Sequence, residues 1–311
     1  MFGTVHTRYA CSRIQSDARA DYCESYFAPL QRITMSAVAS HSSSTPQNLL
    51  LAALPEAEWE WAEGNFKSLF MPSGDVLYEP GRFAHYLWFP TTSVVSVAYL
   101  TADGRADALT FVGRDGFAGV EFFLGAEAAP CRAVVLAEGW GYRIKREVLG
   151  QACARGGSMR HVLLRFAQSY VTQVAQTIVC NRHHTIGQQL CRSLLMFLDR
   201  QASSELPLTP EYIAELMGVR RESVSEAARE LQLAGCISGQ RGRVTVVDRS
   251  RLEARSCECY QTARRAAERL LASNMRLSIG SVAGAQDPRL SKMCEVLPKG
   301  EMRCFTPLRS F

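Results

Sequence analysis

Five arginines in the C-terminal half of the chain carry the residue chemistry best suited to an anionic partner: Arg220, Arg221, Arg229, Arg241 and Arg243. A guanidinium is planar and permanently charged, and its forked donors suit a phosphate or the edge of a guanine. Eleven cysteines offer a second chemistry: Cys11, Cys23, Cys131, Cys153, Cys180, Cys191, Cys236, Cys257, Cys259, Cys294 and Cys304. Their number is odd, they are scattered, and the N-terminus has no apolar run of a signal peptide. Buried, reduced thiols in a cytoplasmic protein are the expectation. Two close sets invite a metal reading, His183-His184 and Cys257-x-Cys259. Adjacent histidines cannot both point one way from a helix, and no third ligand lies nearby in sequence. Cys-x-Cys alone has too few thiolates for a zinc or iron–sulfur site. The expectation is therefore no metal and no cofactor. Neither a Ser-His-Asp order in strand context nor a phosphate-binding loop is found, so an enzyme is not expected.

The elements that would position the arginines read clearly. In Leu208–Leu233, LTPEYIAELMGVRRESVSEAARELQL, Thr209 is a helix N-cap, Pro210 takes the first helical position and Glu211 the first turn. Ile213, Ala214 and Met217 recur at helical spacing, Gly218 ends the helix and Val219 plugs the turn. A second helix follows from about Arg220 to Leu233, with Val224, Ala227, Ala228 and Leu231 inward. Gly235 ends it, and Cys236–Val247 reads as two short strands turning at about Gln240–Gly242. This is a helix-turn-helix with a β wing, the second helix being the reader and Arg241 and Arg243 the wing tip. An ordinary helical hairpin would show the same periodicity, and the wing and its arginines favour DNA.

The 311 residues allow two domains. No run of 18 apolar residues exists, so no membrane span is expected. Formal net charge is +5, and the positive balance lies beyond residue 180, with the motif. Residues 1–47 read as a poorly ordered extension with a short helix over Asp21–Gln31. Asn48–Phe66 is helical, split by Pro55. Residues 48–156 then form a domain of short apolar runs: Lys67–Met71, Val76–Tyr78, Tyr86–Phe89, Val94–Leu100, Ala108–Val112, Arg132–Leu136 and Gly139–Ile144. Gly, Pro and Asp separate them, with a hairpin turn at Asp103-Gly104, which implies an antiparallel sandwich or barrel.

Residues 157–181 hold the longest uninterrupted helical pattern. Its stripe of Leu163, Phe166, Tyr170, Val174 and Ile178 predicts a dimer seam. After a hinge at 182–185, Ile186–Asp199 is a helix of the DNA-binding domain, 182–271. Ser250–Ser273 is expected to be one helix, and 272–311 a loosely ordered tail.

In this order, a β roll, a long helix and a winged helix-turn-helix, the chain resembles the Crp/Fnr family of bacterial transcription regulators over residues 48–270. The likeness is most specific in Gly113-Arg-Asp-Gly-Phe-Ala-Gly119, in Asn181-Arg-His-His-Thr-Ile-Gly-Gln-Gln-Leu-Cys-Arg192, and in Leu208–Gly235 with its wing. Leu252–Tyr260 looks like a subgroup whose effector is undefined. The resemblance implies an α+β fold, a homodimer, double-stranded DNA with a palindromic operator, RNA polymerase as a further partner, and a small-molecule effector. Family pattern places base reading at Arg221, Glu222 and Glu226, and phosphate contacts at Thr209, Arg220, Ser223, Arg241 and Arg243. Arginine suits guanine O6 and N7, and a carboxylate suits a cytosine amine. Glu226 replaces a residue that is often basic, implying a different target.

Cyclic-nucleotide-binding members use a Gly-Glu pair opening a short helix, and an Arg followed by Ser or Thr about ten residues on. This chain has Gly119-Val120, then Glu121, and Cys131-Arg132-Ala133. Val120 and Cys131 can bind neither ribose hydroxyl nor phosphate, and Arg132 would face the other side of a strand. The resemblance thus implies the fold but not cyclic AMP, and a sensor for a non-nucleotide ligand or for redox state is the alternative. Cys11 and Cys23 lack a close third partner for an iron–sulfur cluster. His85 is the candidate haem ligand, though a lone histidine at a strand start is ordinarily just exposed.

Overall fold

The computed structural model describes residues 47–102, 106–201, 203–240 and 242–280, with side chains given as far as residue 270 apart from Asp107 and Gln240. Asp21–Gln31, Asp103-Gly104, Arg241 and the sequence beyond residue 280 lie outside them. A 3-10 turn at Leu51–Ala53 and helix α1, Glu56–Glu63, flank Pro55 as expected. Seven strands follow: β1 Lys67–Met71, β2 Val76–Tyr78, β3 Tyr86–Pro90, β4 Val94–Leu100, β5 Ala106–Val112, β6 Arg132–Ala137 and β7 Gly139–Lys145. They pair antiparallel in two sheets, β1-β7-β3 and β2-β6-β4-β5. Leu87, Phe89, Val95, Val97, Ala133, Val135 and Ile144 are buried in the roll's core.

Two helices escape the sequence reading: α2, Val120–Phe123, and α3, Arg146–Ala154. Next comes α4, Ser158–His183, 26 residues long. Its first turn has no side-chain cap of its own. Glu58 of α1 substitutes, accepting from Ser158 N and Met159 N at 2.8 Å each, with a negative charge where the helix dipole favours one.

Helix α4 meets the roll tightly where Phe166 covers Gly116. A Cβ on Gly116 would lie 2.3 Å from Phe166 Cζ, so only glycine admits the ring. The ring also packs on Phe117, with centroids 5.1 Å apart.

The C-terminal part continues with α5 Ile186–Leu198, β8 Glu205–Leu206, α6 Pro210–Met217, α7 Arg221–Leu233, β9 Ile237–Gln240, β10 Arg243–Val246, α8 Arg249–Arg255 and α9 Glu258–Gly280. The single helix expected over Ser250–Ser273 is two, broken at Ser256-Cys257. Asp248 caps α8 by accepting from Arg251 N, and Ser256 is extended. The break lets α9 turn back and lie along α4, and Leu270 enters the roll's core. The expected boundary at residue 271 therefore does not describe α9, whose partner is the long helix. No helix among the described residues is long and apolar enough to cross a membrane.

Gly116→Ala should lower unfolding free energy by about 1–3 kcal/mol through overpacking against Phe166. Gly150→Ala, in mid-α3 with open space around it, should be neutral or stabilising by up to about 1 kcal/mol. Urea denaturation of both checks the pair, and an unchanged midpoint for Gly116→Ala would remove the close contact from the account.

Candidate nucleic-acid interface

Helix α6 begins as its sequence dictates. The Thr209 hydroxyl oxygen accepts from Tyr212 N at 3.1 Å, and Pro210 occupies the first turn. Gly218 closes the helix at φ 63°, in the left-handed region, and Val219 N returns to Ala214 O at 3.0 Å. The chain then enters α7 with Arg220 as N-cap. Val224, Ala227 and Leu231 turn into a core shared with Leu190, Leu194, Leu195, Ile213, Ile237, Val244 and Leu252. The opposite face of α7 presents Arg221, Glu222, Ser225, Glu226 and Arg229 to solvent. Arg220 is exposed as well, while Ser223 is half-buried at the rim.

The wing has one strand more than expected. β10 pairs with β9 from Arg243↔Gln240 to Val246↔Ile237, and on its other edge with β8. Gly242 takes φ 79° in the turn, placing Arg243 at the tip. Two of the arginines are held by acidic neighbours: Arg221 Nη2 lies 2.7 Å from Glu211 Oε1, and Arg243 Nη1 lies 3.1 Å from Glu205 Oε2. All four side chains are well exposed, and such pairs are worth about 0–1 kcal/mol, so a phosphate or base edge competes with them readily.

The scaffold under α7 is tied down by polar groups. Thr185 and Gln188 form a capping box at the start of α5, a Thr-x-x-Gln signal at the end of the expected hinge. Asp199, after α5, receives Arg249 Nη2 and, at 3.0 Å, the Tyr260 hydroxyl. Arg249 Nε also donates to Glu253 at 2.7 Å. Arg200, 5% exposed, reaches the roll, pairing with Asp115 at 3.4 Å and donating to Gln173 of α4 at 2.8 Å. Phe197 of α5 packs edge-on against Phe111 of β5. Burial pushes the Tyr212 phenol, on α6, up to about 12, so it stays neutral.

The positions expected to line an effector pocket are occupied by the chain's own side chains. Gly119, at φ 102°, opens α2, and Val120 is buried. Glu121 points at three donors: Cys131 Sγ at 3.0 Å, Tyr78 Oη at 3.4 Å and Tyr170 Oη at 3.4 Å. Burial, and then the Glu121 carboxylate, push Cys131 and both tyrosines well above their ordinary range, so all three are neutral hydrogen donors. Arg132 faces away and pairs with Glu79 at 3.1 Å. His85 is exposed, its ring against Phe83.

The expected dimer stripe needs correction. Leu163, Phe166 and Tyr170 are buried under the chain's own roll and Val174 is half-buried against it, leaving only Ile178 of the five exposed. The bulkiest side chains of α4 serve the intramolecular core. Facing solvent instead are His161, Leu164, Gln168, Val171, Ala175, Ile178 and Arg182, at alternating spacings of three and four. The metal reading needs correction too. The sequence offers no third ligand beside either close set, but the fold brings Cys180, His184, Cys257 and Cys259 together.

These features define a winged helix-turn-helix behind a β roll. Residues 188–255 match the Crp-like helix-turn-helix domain. The fold is similar to that of a regulator ascribed to the Crp/Fnr family from Eubacterium rectale ATCC 33656, with TM-score 0.53, 17% identity, and 66% of this chain and 96% of that one covered. It is similar to FixK2 from Bradyrhizobium japonicum, with TM-score 0.53, 17% identity, and 62% and 98% covered. It is also similar to a CRP-family transcriptional regulator from Thermus thermophilus, with TM-score 0.51, 22% identity, and 60% and 96% covered. No curated protein is significantly similar to the chain in sequence. The chain thus carries a Crp-like helix-turn-helix domain and has the fold of Crp/Fnr family regulators.

Proposed function

We propose that the chain is a cytoplasmic, homodimeric, sequence-specific transcription regulator and not an enzyme. The observation that carries the reading is the α7 face: Arg221, Glu222, Glu226 and Arg229 stand exposed on a helix whose other side is buried in the core of a winged head. Arg221 reads a guanine, and Glu222 and Glu226 accept from cytosine or adenine amines. Arg220, Ser223, Thr209 and the wing residues Arg241 and Arg243 hold phosphates. The reader helix is nearly neutral in sum, so sequence-independent affinity rests mainly on its flanks.

The partner in the dimer is a second copy meeting along Leu164, Val171 and Ile178, at seven-residue intervals, with Gln168 and Ala175 between. Three apolar residues, 43%, 55% and 64% exposed on one stripe, are costly for a lone helix in water. Two-fold pairing there sets two reading heads for a palindromic operator and a promoter shared with RNA polymerase.

Cyclic AMP does not fit the roll. Glu121 would repel the cyclic phosphate, and Tyr78, Cys131 and Tyr170 already occupy the carboxylate. A non-nucleotide effector is the second reading. It is favoured by a hollow of about 760 Å³ between the roll, α3 and α4, lined by Phe83, Leu87, Phe122, Arg146, Leu149 and Leu164.

Four outcomes are expected. In DNA selected from a random double-stranded library, Arg221→Ala relaxes preference at one position of each half-site. Arg243→Ala weakens all sequences alike and lowers the salt slope by about one. Fluorescence anisotropy across a salt series reads both, and equal loss on every sequence for Arg221→Ala would remove its base-reading role. Val171→Asp should sediment as a folded monomer and bind the palindrome at least about tenfold more weakly; an unchanged dimer places the interface elsewhere. Millimolar cyclic AMP should leave the thermal midpoint unchanged. A ligand at a hundred times its dissociation constant would add about 2.7 kcal/mol and raise the midpoint by several degrees.

A further inference from the structure

Cys180 and His184 lie one helical turn apart at the C-terminal end of α4, on the same face. Cys257 and Cys259 straddle the first residue of α9. The fold brings these two ends together across 77 residues of sequence. Cys180 Sγ is 3.5 Å from Cys257 Sγ, and Cys259 Sγ is 3.5 Å from His184 Nδ1. All four ligand atoms lie within 4.8 Å of one another. A single tetrahedral ion with arms of about 2.0–2.3 Å sets its ligand atoms roughly 3.5–3.8 Å apart, which matches the two closest separations.

Three further features distinguish the cluster from ordinary buried thiols. Cys131 and Cys153 belong to the roll's apolar core, and Cys191 and Cys236 to the core of the head. Cys180, Cys257 and Cys259 instead form a separate group, packed on one another. The groups behind the ligands are also in place. His184 presents Nδ1 to the thiols while its Nε2 lies 3.2 Å from Glu258 Oε1, the carboxylate–histidine arrangement that fixes a ligand's orientation. Gln176 Nε2 sits 3.1 Å from Cys259 Sγ, where it can donate to a thiolate. Finally, Arg192 is 4% exposed, its Nε has no hydrogen-bond partner, and its charge acts on all three cysteines. Three thiolates with one divalent ion carry one net negative charge, which this buried guanidinium balances.

We propose that Cys180, His184, Cys257 and Cys259 form a closed Cys3His site for one zinc ion, which clamps the end of the long helix to the segment that follows the wing. Binding releases the three thiol protons to solvent and leaves histidine neutral, with no change of oxidation state. All four positions of the tetrahedron are filled by protein, so the site is structural and holds no water for catalysis. A two-iron cluster would spread its ligands over two metal centres, farther apart than these four atoms lie. His183, exposed beside His184, takes no part. The proposal stands whether or not the head reads DNA.

The test uses the full-length chain, purified without chelator, and measures metals by plasma mass spectrometry. About one zinc per chain is expected. Cobalt(II) in its place should give the intense visible bands of a tetrahedral thiolate site. Cys259→Ser and His184→Ala should each lower zinc content or affinity at least about tenfold. Cys191→Ser, in the core of the head, should keep it. If the ligand variants do not fold, the cobalt spectrum of the unaltered chain still decides. Wild-type protein with no zinc and only octahedral cobalt, with iron and acid-labile sulfide, or with a Cys180–Cys257 disulfide in its native state, would overturn the proposal.

Discussion

Phe166 in the gap left by Gly116 is the contact on which the other arrangements rest. It fixes α4 against the roll at its first third, and with it the direction of a helix of 26 residues. Everything C-terminal is then positioned from that helix. Gln173, about two turns further on, receives the Arg200 guanidinium and the Thr110 hydroxyl at 2.8 and 3.0 Å. Arg192 donates to Thr177 at 2.9 Å, and Cys180 and His184 reach the start of α9. A long helix in water would gain little from propensity alone, since most helical stability in proteins comes from packing a face. Here one face is spent inside the chain, and the heptad face of Leu164, Val171 and Ile178 is left open to solvent.

That division of faces explains what the sequence could and could not reveal. The strands were legible because each is bounded by a turn signal with a local cause. Pro72–Asp75 and Glu79–Gly81 stop strands by φ and by the absence of a donor, so the observed limits fall within a residue or two of the expected ones. The helix-turn-helix was legible for the same reason, through Thr209, Pro210, Gly218 and Gly235, all of which behave as their types require. The face of α4 was not legible. Leu163–Ile178 and Leu164–Ile178 are both apolar stripes at helical spacing, and periodicity cannot say which one the roll will cover. Size misled: the stripe with Phe166 and Tyr170 is the richer one, and a chain's own core takes the largest side chains first. The metal ligands were hidden by distance in sequence. Cys-x-Cys and Cys-x-x-x-His are each too short a pattern to mean anything until the break at Ser256 turns α9 back along α4.

The region of Gly119 and Glu121 departs from the expected Gly-Glu pattern in its chemistry. Gly119 still opens a short helix, and Glu121 still lies in the roll, but one position later than a Gly-Glu pair would put it. Glu121 is half-buried, and its side-chain oxygens find hydrogen-bond donors within the chain. Tyr78, Cys131 and Tyr170 supply them from three different elements, β2, the approach to β6, and α4. Tyr170 links this cluster to the long helix, to which it belongs. Any molecule that drew Glu121 away would leave that hydroxyl without its acceptor, at the middle of α4.

Two routes of contact join the roll and α4 to the head. One is the polar chain Thr110–Gln173–Arg200–Asp115, in which Gln173 accepts from both the roll and the segment after α5. Thr110, Gln173 and Arg200 are buried and Asp115 is half-buried, so a rotation of α4 that broke one of these bonds would leave a buried polar group short of a partner. The other route runs along α4 to its C-terminal end, where α5 and α9 both attach. With the four ligands held by an ion, that end moves as one body with the segment following the wing. The head would then follow α4 as a lever and not as a loosely hinged domain. The buried polar network at the Arg200 end and the ligand cluster at the other end thus tie the head to the long helix at two places.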